Sequence, residues 1–480
     1  IELKVLTLKH VRLENESLNE YIIILKKVLI FMVDKTSLQF INHASILVQH
    51  GEISLLSDPW YQGDAFHKGW SLIHELQDNE IIALLDNVTH LWVSHEHPDH
   101  FSILFFKKFG DKIKANNIQV LFQKTADKRV ESFLSKSGYD LRIIDFNCWL
   151  NLSDEFKILC FKDGFYDSGL AIKTVDKTII NLNDCEIKND ERCEEVLKIT
   201  GKCDVLVTQF SYAAWKGGID NEDWRKLAAK EKLNTMLLQA AYFEPKIIIP
   251  FASYIYFSNS ANYYLNDAAN KPSDVIDAFK GHESKVKVMK PFEILDNLES
   301  EVVNTSSLDF WDKALKDIDI NNLKNYELIS LAELKSSFHI YSGRVFKNNT
   351  KWFMRMVRYL SPIRAFKPVV IKITDLNINI RLDIFADSLK ECKGEADISM
   401  SSESFKFLLS NTFGFDTLTV NACFEEESNS GFSRAARSLA IENLNNMGIQ
   451  FRPSIIFNYK LIAMFISRLW AVSKKLKVAK

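Results

Sequence analysis

The segment SHEHPDHFS, residues 94–102, gathers three histidines and one aspartate within six positions, His95 to His100. The chain has only 11 histidines in 480 residues, so this spacing favours a metal site over a solvated polar turn. The apolar run VTHLWVS before it is typical of a strand, and FSILFFKKFG after it is typical of a helix ending at Gly110. Any fold of this chain must therefore place a strand end, a tight turn and a helix start together. The candidate metal ligands are His95, His97, Asp99 and His100.

The spacing of these side chains suits more than one ion. Two histidines two positions apart at a strand end can face one ion, while Asp99 and His100 reach a second ion from the next turn. Imidazole and carboxylate together suit zinc, iron or manganese. Such ions can activate water for hydrolysis or activate dioxygen. We therefore expect one or two metal ions.

Residues 37–300 alternate short β-rich runs with helical segments, which predicts sheets covered on their outer faces by helices. LQFINHASILVQHGEISLLSDPW predicts two strands around a turn at His50 and Gly51. LAIKTVDKTIINLND predicts a hairpin turning near Asp176. Together these patterns indicate a mixed α/β domain.

Residues 301–480 have a different pattern and predict a smaller, separate α+β domain. LNINIRLDIF alternates apolar and polar residues, which indicates a strand with one wet face. SESFKFLLSN predicts a serine-capped helix, and FDTLTVNACF predicts a second strand. LIAMFISRLWAVSKKLKVAK predicts an amphipathic last helix, and residues 1–36 form an N-terminal extension without recognisable chemistry.

Composition excludes several classes of function. The formal net charge is −2 and the charges are evenly spread, which disfavours nucleic acid as a partner. The apolar run YIIILKKVLIFMV is interrupted by two lysines and is too short to span a bilayer, so we expect no integral membrane segment. The 7 cysteines include no Cys-x-x-Cys pair, which favours a reducing, cytoplasmic location. We expect a small-molecule substrate, and a homo-oligomer stays open.

SHEHPDHFS resembles the metal loop of the metallo-β-lactamase superfamily. LLSDPW is similar to that family's upstream strand end, which implies that Asp58 orients a ligand histidine. IINLNDC is similar to a later strand whose aspartate bridges the metals, which implies this role for Asp184. The resemblance implies an αββα sandwich for residues 37–300.

A more specific resemblance is to CMP-N-acetylneuraminate hydroxylase (monooxygenase). It rests on six segments in the same order, over roughly residues 38–270: INHASILV, LLSDPW, FHKGWSLIHE, SHEHPDHFS, NLNDC and IIIPFASYIYFSNSANYYLND. That family hydroxylates the N-acetyl group of a nucleotide sugar with iron and dioxygen, and it receives electrons through an N-terminal Rieske domain. The resemblance implies an iron-dependent oxygenase acting on a nucleotide sugar or another polar small molecule.

Two features depart from these families. A Rieske cluster needs cysteine ligands, but no cysteine precedes Cys148, so we expect no such cluster in this chain. We therefore infer a separate reductase or a substrate that supplies electrons.

No histidine lies between His100 and His282, where hydrolases of the superfamily carry further ligands. FKDGFYDSGL offers Asp163 as a replacement ligand, with Asp167 as the second choice. His43 offers an imidazole or a proton donor, and the carboxylate-rich set favours iron, with zinc or manganese as alternatives.

Two loops are candidates for substrate binding. WKGGID contributes Lys216 and Gly217, and PFASY contributes Ser253 and Tyr254, although loop structure and core packing explain these segments as well. The preferred function is an oxygenase, in which Asp99, Asp184 and His43 act in catalysis. The alternative enzyme is a dinuclear-metal hydrolase of a phosphodiester, amide or ester. A non-enzymatic protein with a vestigial site is disfavoured, because the whole ligand cluster is present.

Overall fold

The computed structural model of the protein describes residues 35–298, 302–360 and 365–457. The extension predicted for residues 1–36 lies almost wholly outside the described residues, as does the helix predicted at the C-terminus. The strands of the described residues, in chain order, are β1 (Ser37–Asn42), β2 (Ser45–His50), β3 (Ile53–Ser57), β4 (Trp70–Leu72), β5 (His90–Val93), β6 (Gln119–Gln123), β7 (Leu141–Ile144), β8 (Trp149–Asn151), β9 (Lys157–Lys162), β10 (Ser168–Lys173), β11 (Thr178–Asn183), β12 (Val205–Gln209), β13 (Ile247–Phe251), β14 (Ile255–Phe257), β15 (Lys285–Val286), β16 (Ile294–Leu295), β17 (Val369–Ile373), β18 (Ile378–Leu382), β19 (Lys390–Glu391), β20 (Ile398–Met400) and β21 (Glu425–Glu426).

Helices separate many of these strands. In chain order they are α1 (Asp78–Leu85), α2 (Ile103–Ala115), α3 (Arg129–Lys136), α4 (Asp190–Thr200), α5 (Glu222–Phe243), α6 (Pro272–Ala278), α7 (Thr305–Lys316), α8 (Leu331–Asn348), α9 (Lys351–Leu360), α10 (Ser402–Ser410), α11 (Gly414–Asn421), α12 (Gly431–Leu439) and α13 (Ile441–Asn446). Short 3₁₀ helices span Tyr263–Ala268, Ile320–Asn322 and Pro453–Phe457. None of the helices within the described ranges combines the length and the apolar character needed to cross a lipid bilayer.

Two seven-stranded sheets pack face to face. Their strand orders are β16-β1-β2-β3-β5-β6-β7 and β15-β13-β12-β11-β10-β9-β8. Apolar side chains from both inner faces share one core, among them Phe40 and Trp92 from the first sheet and Leu170 and Val207 from the second. The predicted hairpin is present as the antiparallel pair β10 and β11, closing between Lys173 and Thr178.

Helices cover both outer faces of this sandwich. On the first sheet, α1, α2 and α3 bury Leu85, Phe106 and Leu134 in a second apolar cluster. On the second sheet, α4 and α5 bury Val196 and Met236. The order of layers is therefore helix, sheet, sheet, helix, which confirms the predicted αββα sandwich.

Two local predictions were wrong. The segment predicted as a two-stranded hairpin forms three strands, β1 to β3, because the chain also turns back at His43, whose N–H donates to the side chain of Asn42. The helix predicted to end at Gly110 continues to Ala115. Gly110 lies where the hydroxyl of Tyr139 packs against the helix, and a Cβ there would be 2.2 Å from that oxygen. Close packing, and not helix termination, explains this glycine.

The C-terminal region forms its own five-stranded sheet, in the order β19-β18-β17-β20-β21. The predicted strand with one wet face is present as β18, which buries Ile380 and Leu382 and exposes Arg381. The predicted helix α10 begins after the cap Ser401. The strand predicted at FDTLTVNACF is instead helix α11, because its buried residues Gly414, Leu418 and Asn421 recur at helical spacing.

The C-terminal region shares an apolar cluster with the sandwich. That cluster joins Phe66 and Trp70, close to the small β4–β14 sheet, to Phe405 and Leu418 of the C-terminal helices. The side chain of Asn421 donates to the Phe66 carbonyl at 3.0 Å. The two regions are therefore packed against each other through a continuous interior, which fixes α11 beside the histidine cluster.

Candidate metal centre

The candidate ligands lie at one edge of the sandwich because strand ends meet there. Strands β3 and β5 are parallel neighbours, so Asp58 and His95, which follow their carboxyl ends, lie side by side. Asp184 directly follows β11 in the facing sheet. Strand β10 is antiparallel to β11, so Asp167, just before its start, lies at the same edge. Residues from both sheets thus converge on one point.

The converging side chains form three overlapping groups of donor atoms. Nε2 of His95 is 2.8 Å from Nδ1 of His97, and Nε2 of His100 is 3.2 Å from an oxygen of Asp184. Within each group all donor atoms lie within 4.8 Å of one another; the groups are His43, Asp99 and His100; His95, His100 and Asp184; and His95, His97 and Asp167. Because they share His95 and His100, they supply donors for one or two metal ions.

The donor atoms themselves fit a metal ion. Both ring nitrogens of His43 and Oδ1 of Asp99 are buried without a hydrogen-bond partner in the described structure. An unpartnered buried polar group costs about 1–3 kcal/mol. Coordination would use such lone pairs, and imidazole with carboxylate is a donor set that zinc, iron and manganese accept.

Asp58 holds His100 in place. Its Oδ2 accepts from Nδ1 of His100 at 3.0 Å and from the side chains of Ser94 and Asn183 at 2.8 and 2.6 Å, while Oδ1 accepts from the Ser94 N–H at 2.7 Å. With its Nδ1–H given to Asp58, His100 directs Nε2 toward Asp184. This is the contact expected of a residue that orients a ligand histidine.

Ser94 does the same for His95. Its hydroxyl donates to Asp58, so its oxygen can accept a hydrogen bond from Nδ1–H of His95, 2.8 Å away. In that arrangement Nε2 of His95 faces His97 and carries a lone pair that is available to a metal ion. The tautomers of two neighbouring histidines are therefore set by one buried carboxylate.

Backbone strain is concentrated at this edge. His43, Asp58, Asn183 and Ala252 have φ values of 28°, 36°, 52° and 46°. Positive φ is costly for residues with a side chain and is typical of functional sites that the surrounding structure holds in place. The Ala252 N–H donates to the His43 carbonyl at 2.8 Å and so links two strained turns from the two sheets.

The electrostatics of the cluster follow from burial and close charges. Burial disfavours charge on His100, but the carboxylates of Asp99, Asp184 and Asp58 outweigh it and hold its pKa well above the usual value. Burial, together with the neighbouring histidines, holds the pKa of His95 well below its usual value. Burial raises the pKa of Asp167 to about 7. The metal-free cluster therefore contains carboxylates and imidazoles that compete for protons.

The structure reverses the preference between Asp163 and Asp167. The carboxylate of Asp163 accepts from the Glu186 N–H at 2.6 Å and from Nε of Arg192 at 3.0 Å, and it is in none of the three donor groups found among the described residues. Asp167 instead lies 3.5 Å from Nε2 of His95. Position 167 comes directly before β10, whereas position 163 follows β9 on the far side of the turn. Among the described residues Asp167 is grouped with His95 and His97 and Asp163 is not, and the ligand role of either carboxylate stays a prediction.

A cavity of about 490 Å³ opens beside His97. It lies between the sandwich and the C-terminal region, with Phe101 and Leu104 on one side and Phe407 and Phe413 on the other. Asp416 of α11 places a carboxylate oxygen 3.9 Å from Nε2 of His97. The C-terminal region therefore contributes directly to the surroundings of the candidate metal centre.

Comparison with known proteins gives partial matches, and no protein-family model matches the chain. It is 27% identical over 253 residues to cytidine monophosphate-N-acetylneuraminic acid hydroxylase of Danio rerio, covering 49% of this chain and 41% of that protein. The corresponding Xenopus laevis protein is 26% identical over 252 residues, covering 48% and 41%. The human protein, named as inactive, is 24% identical over 253 residues, covering 49% and 48%. The match spans less than half the length of these relatives.

Solved structures give distant matches that cover about 55% of the chain. The diiron β-hydroxylase CmlA of Streptomyces venezuelae has a TM-score of 0.40 at 12% identity, covering 55% of this chain and 54% of that chain. The metallo-β-lactamase-fold protein YhfI of Bacillus subtilis has a TM-score of 0.36 at 14% identity, covering 55% and 100%. The deciding observation is the αββα layering with the His-x-His-x-Asp-His turn after β5. The chain has an α/β, metallo-β-lactamase-like fold.

Within this metallo-β-lactamase-like fold, the residues predicted to bind substrate are not brought to the cavity at His97. The hydroxyl of Ser253 accepts from two backbone N–H groups, those of Phe210 and Ser211. Tyr254 is fully buried and stacks on Trp311 with ring centroids 4.2 Å apart. These side chains hold loops and the core together. Both residues also line a second cavity of about 250 Å³, and they stay predicted substrate contacts.

Internal packing also accounts for the WKGG turn. Gly217 has φ of 84°, and a Cβ there would lie 2.6 Å from the side chain of Asn221. The close approach that requires this glycine is therefore to the start of α5. Lys216 is half-buried near Glu186 and stays a predicted substrate contact.

Sequence reasoning missed two contributors to the site. Gln209, at the end of β12, donates to Asp184 at 3.2 Å and accepts from Lys232 of α5. Asp416 approaches His97 from the C-terminal region. The position of Gln209 at a strand end was a usable signal. Nothing in the local sequence around Asp416 indicates a site, because its role depends on how α11 packs.

Proposed function

We propose that the protein is a metal-dependent oxygenase that hydroxylates a small organic substrate. His95, His97, Asp99, His100 and Asp184 hold the metal, joined by Asp167. The observation that carries the proposal is Asp167 itself, a carboxylate within reach of His95 and His97. Oxygen donors in place of a further imidazole favour iron, the usual metal for dioxygen chemistry, over zinc.

The similar proteins support the same choice. The relatives reported above are named hydroxylases of cytidine monophosphate-N-acetylneuraminic acid. Sequence similarity at this level, across 49% and 48% of the chain, supports hydroxylation as the reaction class. A nucleotide sugar is one substrate class that these names suggest.

The residues of the chain have separate roles in this proposal. When bound, iron supplies the capacity to bind and reduce dioxygen. Asp58 and Ser94 keep His100 and His95 in fixed tautomers, so the donor nitrogens need not reorient. His95 and His100 are fully buried, which limits the access of water to the centre. His43, whose Nε2 is 3.5 Å from Asp99, can hold a proton inside the cluster.

The overall reaction requires a reductant. One oxygen atom of O₂ enters a C–H bond of the substrate, and the other leaves as water. Two electrons and two protons complete the balance. We propose that the electrons come from a separate reductase and that ascorbate can replace it in a test.

The test combines metal analysis with two activity assays on the purified full chain. We expect iron bound in stoichiometric amounts and reductant-dependent O₂ uptake that the His97→Ala and Asp184→Ala variants lose together with the metal. Bis(4-nitrophenyl) phosphate probes the hydrolase alternative. Stoichiometric zinc or manganese, with turnover of this phosphodiester and no O₂ uptake, would overturn the oxygenase in favour of a hydrolase.

A further inference from the structure

The cavity beside His97 has the size of a small-molecule site. Its volume of about 490 Å³ lies within the range of pockets that enclose a drug-sized ligand. His97 is at its inner end, where the ring is 25% exposed, whereas His95 and His100 behind it are fully buried. A molecule in the cavity therefore reaches the candidate metal centre through His97.

Apolar side chains form most of the cavity wall. Phe101, Val130 and Phe133 line it from the sandwich, and Phe407 and Phe413 from the C-terminal region. Leu104 and Phe413 are 50% and 43% exposed, although each is a large apolar side chain. Exposed apolar residues grouped around a cavity indicate a ligand with an apolar part.

The charged groups of the cavity are mainly acidic. Glu96 and Asp416 line it close to His97, and Asp64, which pairs with Lys324 at 3.2 Å, lines it as well. Arg129 is the single lysine or arginine among the described lining residues. Its guanidinium already has partners within the protein, since Nε donates to Asp127 at 2.7 Å and the group lies over the ring of Phe413, 5.4 Å from its centroid. An anion entering this cavity would meet carboxylates and no uncommitted lysine or arginine among those residues.

We propose that this cavity binds the substrate through an aromatic or aliphatic group, with a neutral or cationic polar group beside Glu96 and Asp416. The carboxylates thereby disfavour an anionic group at their own part of the cavity wall, such as the phosphate of a nucleotide sugar. The identification of the bound molecule as the substrate rests on the proposed oxygenase activity, whereas the binding preference does not.

Lys216 does not change the charge of the cavity. It lies on the side of Asp184, in the surroundings of Glu186, and is not part of the cavity wall. Lys232 is on the same side, bound to Gln209. An anion attracted to these lysines would occupy a position separate from the apolar cavity.

The experiment compares three probes that share one apolar group. They are 4-phenylbutyl-trimethylammonium, 4-phenylbutanol and 4-phenylbutane-sulfonate, titrated calorimetrically into the full chain, with cytidine monophosphate as a fourth. We expect the cation and the alcohol to bind and the sulfonate to bind at least about tenfold more weakly, a difference of about 1.4 kcal/mol. Cytidine monophosphate should not displace the alcohol.

Two variants locate the binding. Leu104→Glu places a carboxylate in the cavity at an exposed position in the first turn of α2, where an acidic residue favours the helix. It should weaken alcohol binding about tenfold. Ile340→Glu, at a position on α8 that is 59% exposed against 50% for Leu104, should leave it unchanged. Asp416→Asn should reduce the preference for the cation over the sulfonate.

Other results would overturn the inference. They are sulfonate or cytidine monophosphate binding as tightly as the cation, or alcohol binding that Leu104→Glu does not affect. These outcomes concern binding alone, so a failure of O₂ uptake would reject the oxygenase while leaving the cavity assignment standing.

Discussion

The carboxylate of Asp58 accepts a hydrogen bond from Nδ1 of His100 at 3.0 Å, across 42 positions of sequence. Both side chains are fully buried, and the same carboxylate receives three further hydrogen bonds. This contact keeps the Nε2 of His100 free for a metal. It is the interaction on which the order of the donor cluster most depends.

Replacing Asp58 should weaken metal binding without removing any donor atom. In Asp58→Asn, the amide group would face N–H donors from His100 and Asn183, so His100 would lose its fixed orientation. Changes at such supporting residues cost roughly 10- to 100-fold in metal affinity. Competition with a chelator measures this affinity, with the exposed Asp86→Asn as a control. An unchanged affinity at normal thermal stability would show that Asp58 does not position the ligand.

Asp163 and Asp167 give a matched pair for the ligand assignment. Asp167→Asn should lower the metal content of the purified protein. Asp163→Asn should keep its metal but lose the ion pair with Arg192, with a loss of about 1–3 kcal/mol in the free energy of unfolding. Metal analysis and urea denaturation of both variants separate the two effects. The opposite pattern would restore Asp163 as the ligand.

Gly110 should resist replacement by alanine, although alanine is intrinsically better in a helix by about 1 kcal/mol. The added Cβ would lie 2.2 Å from the hydroxyl oxygen of Tyr139, and overpacking of this kind costs about 1–3 kcal/mol. We expect Gly110→Ala to be destabilising in urea denaturation. The same change in a Tyr139→Phe background, which removes that oxygen, should cost less. Equal costs in the two backgrounds would contradict the packing explanation.

His67 should make stability depend on pH. Its ring stacks on Phe407 with centroids 4.0 Å apart and faces Glu403, Lys68 and Tyr326. Burial lowers its pKa to about 4, against about 6.5 in the unfolded chain. Because the folded protein binds the proton less well than the unfolded chain, protonation of His67 favours unfolding. The contribution of neutral His67 to the free energy of unfolding is therefore complete above about pH 6.5 and is lost as the pH falls toward 4.

The size of this effect is up to about 3 kcal/mol, since each pKa unit corresponds to 1.36 kcal/mol. Urea denaturation at pH 7 and at pH 4.5 measures it. In His67→Asn the difference between the two pH values should shrink, while the exposed His339→Asn should leave it unchanged. A full pH difference in His67→Asn would assign the effect to other groups.

The sequence was most informative where chemistry and local structure coincide. His95, His97, Asp99 and His100 occupy one turn after one strand, so their spacing already places them together. Asp58 also follows a strand, and the parallel pairing of β3 with β5 brings it to that turn. Asp184 follows a strand of the facing sheet, and its place in the site was implied by the family resemblance. The alternation of β-rich runs and helices predicted sheets covered by helices, and the family resemblance implied the αββα order.

Tertiary packing decided the rest. The chain turns back between β9 and β10, which brings Asp163 to Arg192 and Asp167 to His95. The two aspartates are only four residues apart, so the sequence could not show which of them faces the histidines. Tyr254 is in the core because Trp311, far along the chain, stacks on it.

The sequence by itself determined that this chain carries a metal-ligand turn on a layered α/β fold, because those features depend on residues close together. Only the tertiary structure decided what surrounds that turn. Asp416 and Phe413 are more than 300 positions from His97, and they form the cavity because α11 packs against Phe66 and Trp70. Long-range burial of apolar surface, which has no local signature, therefore sets which molecules can reach the candidate metal centre.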